Sequence, residues 1–133
     1  MALTDSRDAV LRWKHVWETA WPGKDVEAIV ALYAPNAVYR ALAFREPDTG
    51  HQGVRDYLQR NFDVEAGVEC WFGDPLVSGD RAAVEWWGTW LESGERVTLA
   101  GISVLRFDSD GLVTDHRDYW NQSPERVTPY ESY

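Results

Sequence analysis

The chain is poor in cysteine and in long apolar segments, and both shortages exclude classes of protein. Cys70 is the single cysteine among 133 residues, so no internal disulfide can form and a secreted, disulfide-stabilised scaffold is excluded. No apolar run approaches the ~20 residues of a membrane span. Residues 1–8 lack the basic-then-apolar order of a signal peptide. We therefore expect a soluble, cytoplasmic protein.

Basic charge is also scarce. Lysine and arginine total 13 against 22 aspartates and glutamates, which gives a formal net charge of -9. Such a chain is repelled by phosphate backbones and by anionic lipid headgroups. We expect neither nucleic acid nor a membrane surface as a partner.

Aromatic side chains, by contrast, are abundant. The chain has eight Trp, six Tyr and four Phe. Large flat side chains with few rotamers make good walls for a pocket that holds an organic ligand. They also fill cores and dimer interfaces, and composition alone leaves these alternatives open.

The first part of the chain has helical periodicity. Apolar residues recur at three- and four-residue steps over 8–21, and Thr4 or Asp5 could cap this helix. The turn sequence Trp-Pro-Gly at 21–23 ends it. A second helix, capped by Asp25, is expected to carry an apolar stripe that extends to Tyr33.

The rest of the chain is dominated by strands. A first strand is expected at 37–44 and a short third helix near 54–62. Turn sequences rich in Gly, Ser and Asp then separate strands at about 68–78, 81–91, 95–108 and 111–120. Three helices and a curved, mainly antiparallel sheet predict an α+β fold with a pocket on the concave side. We expect one domain over 1–121 and a tail at 122–133 that is mobile or reaches a neighbouring subunit.

Three segments carry a family resemblance. VLRFDSDGLVTDHRDYWN at 104–121 resembles the last hairpin of the SnoaL-like group within the nuclear transport factor 2-like superfamily. IVALYAPNAV at 29–38 and GVRDY at 53–57 support it, and the likeness extends to about residue 121. It implies a cone-shaped α+β barrel. The superfamily includes isomerases, polyketide cyclases, epoxide hydrolases, dehydratases and transport factors, so the resemblance alone does not choose an activity.

Asp118 is the first candidate for chemistry. It shares a strand face with His116, and the resemblance implies that this face turns into the cone. A partly dehydrated carboxylate there could act as general acid or base, as the matching aspartate does in SnoaL-like aldol cyclases. His116 could relay a proton to Asp118 or orient it. An ordinary buried carboxylate that is paired with Arg117 or satisfied by a neighbouring strand is the alternative.

Glu85 is the second catalytic candidate, because it lies on a strand with apolar neighbours. Epoxide-hydrolase-like members carry an Arg-x-Asp pair near this place, whereas this chain has Glu85-x-Trp87, so a two-carboxylate site of Glu85 and Asp118 is the chemistry left open. An exposed edge position is the alternative. Two metal ligands from His116 and Asp118 are a weaker hypothesis, and we expect neither a metal nor another cofactor.

Two further positions depart from relatives that the chain resembles. Trp17 occupies the place of the oxyanion-hole tyrosine of steroid-isomerase-like members, and Ala41 the place of their catalytic aspartate. Steroid isomerisation is therefore not expected, although Trp17 can donate one N–H to a ligand oxygen. The additional histidine of SnoaL cyclases falls near Ser103. The other candidate pocket residues are Tyr39, Tyr57, Trp71, Trp87 and Phe107.

Three functions are compatible with these residues. The first is cofactor-free acid/base catalysis on a small, mostly apolar organic molecule, of the isomerase, cyclase or hydrolase type. The second is a binding module that performs no chemistry. The third is an interaction domain whose cavity is filled by its own side chains. Apolar residues on both faces of the strand around Trp86 and Trp87 predict a homodimer through the outer face of the sheet.

Overall fold

The computed structural model describes residues 6–131. Three helices are α1 (Ser6–Gly23), α2 (Val26–Val30) and α3 (Gly50–Val64). The strands are β1 (Tyr33–Arg40), β2 (Asp48–Thr49), β3 (Glu65–Phe72), β4 (Leu76–Ser78), β5 (Arg81–Glu92), β6 (Glu95–Phe107) and β7 (Val113–Ser123). This confirms the predicted α+β class.

The strands form one sheet in the order β2-β1-β7-β6-β5-β3, with β4 added against β5. All pairs are antiparallel except β1 with β7. The sheet is curved but not closed, and the helices cover its concave face to give a cone-shaped fold. The aromatic core lies between these two layers.

Local chemistry explains the end of α1 and the start of α2. Asp25 caps α2 as predicted, because its Oδ1 accepts a hydrogen bond of 3.1 Å from the Ala28 N–H. Pro22 lies in the last turn of α1, and Lys24 beyond it adopts a positive φ of 55° that ends the helix. The predicted caps Thr4 and Asp5 lie outside the described residues.

Several predicted boundaries were wrong. The second helix ends at Val30, and Tyr33 begins β1, which stops at Arg40 instead of residue 44. The expected strand at 68–78 is interrupted and forms parts of β3 and β4, because Pro75 has no N–H to donate to a sheet hydrogen bond. The two-residue strand β2 gives no sequence signal.

The tail packs on its own sheet. Over 124–131, Arg126 makes an ion pair of 2.8 Å with Glu69 of β3, and the Tyr130 ring meets Trp87 edge to face at 5.4 Å. Thr98 of β6 accepts from the Val127 N–H at 3.3 Å. These contacts hold the described tail against the outer face of β3, β5 and β6.

Candidate functional site

A cavity of about 420 Å³ lies between the concave face of the sheet and the helices. Its walls come from α1 and α3, from β1, β2, β3, β5, β6 and β7, and from the loop after β1. Six of the eight tryptophans line it: Trp13, Trp17, Trp21, Trp86, Trp90 and Trp120. The aromatic excess of the sequence is thus concentrated around one space that a small organic molecule could occupy.

Asp118 and His116 lie side by side in this wall on the inward face of β7. The exposed fraction is 8% for Asp118 and 1% for His116. The imidazole Nε2 is 2.6 Å from Asp118 Oδ1, and Ser103 Oγ donates to the same oxygen at 2.6 Å. Ser103 reaches Asp118 because the two residues are directly paired between β6 and β7. Two donors therefore stabilise the carboxylate and fix its orientation.

The contacts of Asp118 continue in both directions. Nδ1 of His116 is 2.7 Å from the hydroxyl of Tyr33, which accepts from the Trp13 indole N–H at 3.2 Å. On the other side, Ser103 Oγ accepts from the Trp86 indole N–H at 2.9 Å. Five side chains, Trp13, Tyr33, His116, Ser103 and Trp86, form a buried hydrogen-bond chain around Asp118.

The protons of this hydrogen-bond chain are assigned from its donors and acceptors. A carboxylate only accepts, so Nε2 of His116 carries the proton that faces Asp118. Nδ1 is then free to accept from the Tyr33 hydroxyl, whose lone pair accepts from Trp13. A neutral imidazole protonated at Nε2 satisfies every hydrogen bond of the chain.

Only one oxygen of Asp118 is used in this way. Both hydrogen bonds go to Oδ1, and Oδ2 has no hydrogen-bond partner among residues 6–131. Oδ2 is not fully enclosed by protein atoms, and Asp118 lines the cavity. The free oxygen is therefore available to a ligand.

Tyrosines surround this carboxylate on the β1 side. The Tyr39 ring stacks on His116 with centroids 3.9 Å apart, and Tyr57 of α3 lies 4.7 Å from Tyr39. Burial and then the Asp118 charge raise the pKa of both tyrosines. Their hydroxyls therefore stay protonated and can donate hydrogen bonds.

Trp17 has the one fully buried side-chain polar atom without a partner in the described part of the chain. Its indole N–H faces the Tyr33 hydroxyl but makes no hydrogen bond of good geometry with it. Burial raises the pKa of Tyr33, and the nearby Trp17 N–H opposes this increase with a smaller effect. Trp17 is 6% exposed and lines the cavity. Because this N–H is fully enclosed, a ligand oxygen could reach it only if the indole ring moved.

A second buried carboxylate lies in the same cavity. Glu65, the first residue of β3, is 6% exposed and accepts from the Trp21 indole N–H at 2.8 Å. Burial raises the pKa of Glu65 to about 7; the Trp21 N–H opposes this, and the nearby Glu92 adds to it. Trp21 fits here because it packs on Gly88 of β5, where a Cβ would overlap the indole ring.

The structure brings together six of the predicted site residues and separates four. The cavity lining includes Trp17, Tyr39, Tyr57, Ser103, His116 and Asp118. Glu85 is exposed on the outer face of β5, and Trp87 on that face packs against the tail. Trp71 and Phe107 also lie outside the lining. The two-carboxylate site of Glu85 and Asp118 is therefore not formed.

The sequence pattern does not single out Tyr33, Trp86 or Glu65. Glu65 is the first residue of β3, directly after α3, and only its long-range contact with Trp21 reveals its burial. No three His, Cys, Asp or Glu side chains within residues 6–131 are arranged to hold a metal ion. No helix in the same range is long and apolar enough to cross a membrane.

Comparison with known proteins assigns the chain to a family. A family profile for the SnoaL-like domain matches residues 11–116, and the chain belongs to that family. It is 28% identical to the cyclase AurE of Calcarisporium arbuscula over 102 residues, which are 71% of this chain and 74% of the cyclase.

Solved structures share the fold at lower identity. One is a hypothetical protein of ketosteroid isomerase-like fold from Catenulispora acidiphila, in complex with trimethylamine. It has a TM-score of 0.70 and 20% identity, over 79% of this chain and 82% of that protein. Another is the epoxide hydrolase/cyclase-like enzyme SalBIII of salinomycin pyran ring formation. It has a TM-score of 0.73 and 20% identity, over 87% and 90% of the two chains.

Proposed function

We propose that the protein binds a small, mostly apolar organic molecule in the cavity and catalyses a cofactor-free acid/base reaction on it through Asp118. The observation that carries this proposal is the asymmetry of the Asp118 carboxylate. Oδ1 is held by His116 and Ser103, while Oδ2 is unpartnered beside a cavity lined by indole and phenol rings. Membership of the SnoaL-like family and the likeness to a cyclase support the same class of function.

The chemistry that fits these groups is proton transfer next to a carbonyl. Oδ2 of Asp118 takes a proton from the carbon adjacent to the carbonyl, and the electron pair of the broken C–H bond moves to the carbonyl oxygen to form an enolate. The protonated hydroxyls of Tyr39 and Tyr57, which line the cavity, can donate to that oxygen. Return of the proton to a different carbon of a conjugated enolate completes an isomerisation. Alternatively, the enolate carbon attacks a second carbonyl of the same molecule, the π pair of that carbonyl moves to its oxygen, and the alkoxide takes the proton from Asp118, which closes a ring.

Hydrogen–deuterium exchange tests this proposal without knowledge of the natural substrate. 2-Tetralone, an apolar bicyclic ketone, is incubated with the protein in D₂O, and loss of its α-proton signals is followed by NMR. We expect faster exchange with the wild-type protein than in buffer. Asp118→Asn keeps the Oδ1 acceptor but removes the base, so the enhancement should fall by about 10²–10⁴-fold.

Glu85→Gln is the matched control, because it removes an exposed carboxylate from the outer face of the same sheet. It should exchange like the wild type. Equal exchange by Asp118→Asn would contradict the catalytic role. Binding of 2-tetralone, seen as a change in tryptophan fluorescence, with no exchange would favour the non-catalytic binding module.

Dimerisation and cytoplasmic location stay predictions. The outer face of the sheet carries half-buried Ile102 and Val104 next to the exposed Tyr119. This apolar surface supports a homodimer, although the tail covers part of the same face near Trp87. The open cavity counts against an interaction domain with a self-filled interior, since Trp71 and Trp87 do not enter it.

A further inference from the structure

The proposed reaction leaves Glu65 unused. Asp118 lies in register with Ser103, which pairs with Val84, whereas Glu65 pairs with Glu92, eight residues further along β5. The two buried carboxylates thus belong to different ends of the cavity. Glu65 Oε1 accepts from Trp21, and Oε2 has no hydrogen-bond partner among residues 6–131.

Four indole rings form one cluster that reaches Glu65 through the Trp21 N–H and the Asp118 side through the contact of Trp86 with Ser103. Trp21 lies 5.8 to 6.0 Å from the rings of Trp17, Trp86 and Trp90, at interplanar angles between 57° and 90°. All four rings line the cavity, and their planes face different directions. Indole faces carry negative electrostatic potential and attract organic cations, quaternary ammonium groups above all.

The charges around the cavity favour a cation as well. Its lining holds five carboxylates against two guanidinium groups. One of the two, Arg60, already pairs with Asp48 at 3.4 Å. Glu65 and Asp118 are the buried carboxylates of this set, where low dielectric strengthens their effect on a ligand. The whole chain, at -9, adds to this potential.

We propose that the Glu65 end of the cavity binds the cationic amine of an organic ligand, with the ammonium group on the tryptophan faces and opposite the Glu65 carboxylate. This assignment rests on the proposed function, because it names the ligand class of the same cavity. It also explains why an acid occupies this position. A neutral glutamine would accept from Trp21 equally well, but it would not compensate an ammonium charge.

The ionisation of Glu65 gives the assignment a pH dependence. The charged or titratable groups near Glu65 are Glu92 on β5, Lys24 after α1 and Tyr57 on α3. Tyr57 stays neutral, because burial raises its pKa. Glu65 itself, with its pKa raised by burial to about 7, gains its charge between pH 6 and 8. Binding of a permanent cation should therefore strengthen over this range.

A pair of isosteric probes tests the proposal. Choline and 3,3-dimethylbutan-1-ol have the same shape and differ by the exchange of N⁺ for carbon. Their dissociation constants are measured by tryptophan fluorescence at pH 6 and pH 8. For the wild type at pH 8 we expect choline to bind about tenfold more tightly than the alcohol. At pH 6 the preference should shrink several-fold.

In Glu65→Gln, the preference for choline should be the same at pH 6 and pH 8 and should equal that of the wild type at pH 6. The dissociation constant of the alcohol should not change. Glu85→Gln, outside the cavity, should behave like the wild type. The wild-type comparison at two pH values keeps the test valid should Glu65→Gln not fold. Equal binding of the two probes, no binding of either, or a preference independent of pH and of Glu65 would overturn the assignment.

2-Tetralone separates this failure from failure of the proposed function. Because it is neutral, its binding and exchange do not require an ammonium site. Normal exchange of 2-tetralone without a preference for choline would overturn the amine assignment alone. Absence of both binding and exchange would overturn the proposed function together with it.

Discussion

The two buried carboxylates of the cavity are stabilised in different ways. Asp118 lies in a chain of five hydrogen-bonded side chains, and two donors hold its Oδ1. Glu65 has one donor, Trp21, and an acidic neighbour in Glu92. Burial raises the pKa of Glu65 to about 7. The two carboxylates therefore differ in the number of donors that reach them, two for Asp118 and one for Glu65.

The largest expected effect comes from interrupting the chain at Tyr33. Tyr33→Phe leaves two buried partners, the Trp13 N–H and Nδ1 of His116, without a hydrogen bond. Each orphaned buried group costs ~1–3 kcal/mol, so the free energy of unfolding should fall by about 3 kcal/mol in urea denaturation at pH 7.

Tyr130→Phe is the matched control, because Tyr130 is 73% exposed and its hydroxyl makes no hydrogen bond in the described part of the chain. It should change stability by less than ~0.5 kcal/mol. A Tyr33→Phe protein as stable as the wild type would show that the chain around Asp118 contributes nothing to folding, and the contrast with Glu65 would disappear.

The second effect is a pH dependence at the Glu65 end. The native pKa of about 7 lies above the ordinary value of 4.5, so the folded state holds the proton of Glu65 longer than the unfolded state. This contribution is fully present below pH 4.5 and is lost as the pH rises to 7. Relative to Glu65→Gln, the wild type should lose about 2 kcal/mol of stability between pH 5 and pH 7.

Urea denaturation of both proteins at several pH values measures this difference. Taking the difference between the two proteins cancels every other titrating group that the two share. Parallel stability curves for the wild type and Glu65→Gln would mean that the Glu65 carboxyl titrates normally, and the amine assignment would lose its pH support.

The sequence predicts the fold better than it predicts the site. Turns and strand alternation are local, so the hairpin at Ser93-Gly94, both with positive φ, is placed correctly. The same alternation puts His116 and Asp118 on one face. Burial of Glu65, in contrast, depends on a tryptophan 44 residues earlier, which no local pattern reveals.

Glu85 and Tyr33 were misplaced because their surroundings, like those of Glu65, depend on packing between elements. Apolar neighbours along β5 suggest that Glu85 is buried, but the strand alternates and Glu85 belongs to its outer face. Tyr33 fits the stripe of the second helix, yet the chain leaves that helix at Val30 and Tyr33 enters the sheet beside Val113. Which face of an element covers the cavity is decided by packing between elements.

The smallest expected effect comes from removing Ser103, one of the two hydrogen-bond donors to Asp118. Ser103→Ala removes one of the two donors to Asp118 Oδ1 and leaves the Trp86 N–H without its acceptor, while His116 keeps its contact. We expect a stability loss of about 1 kcal/mol in urea denaturation, against less than ~0.5 kcal/mol for the exposed Ser78→Ala. Because His116 alone can still orient the carboxylate, exchange of 2-tetralone should fall by less than about tenfold, well short of the loss for Asp118→Asn. A loss as large as that of Asp118→Asn would mean that both donors are needed to hold Oδ2 toward the ligand.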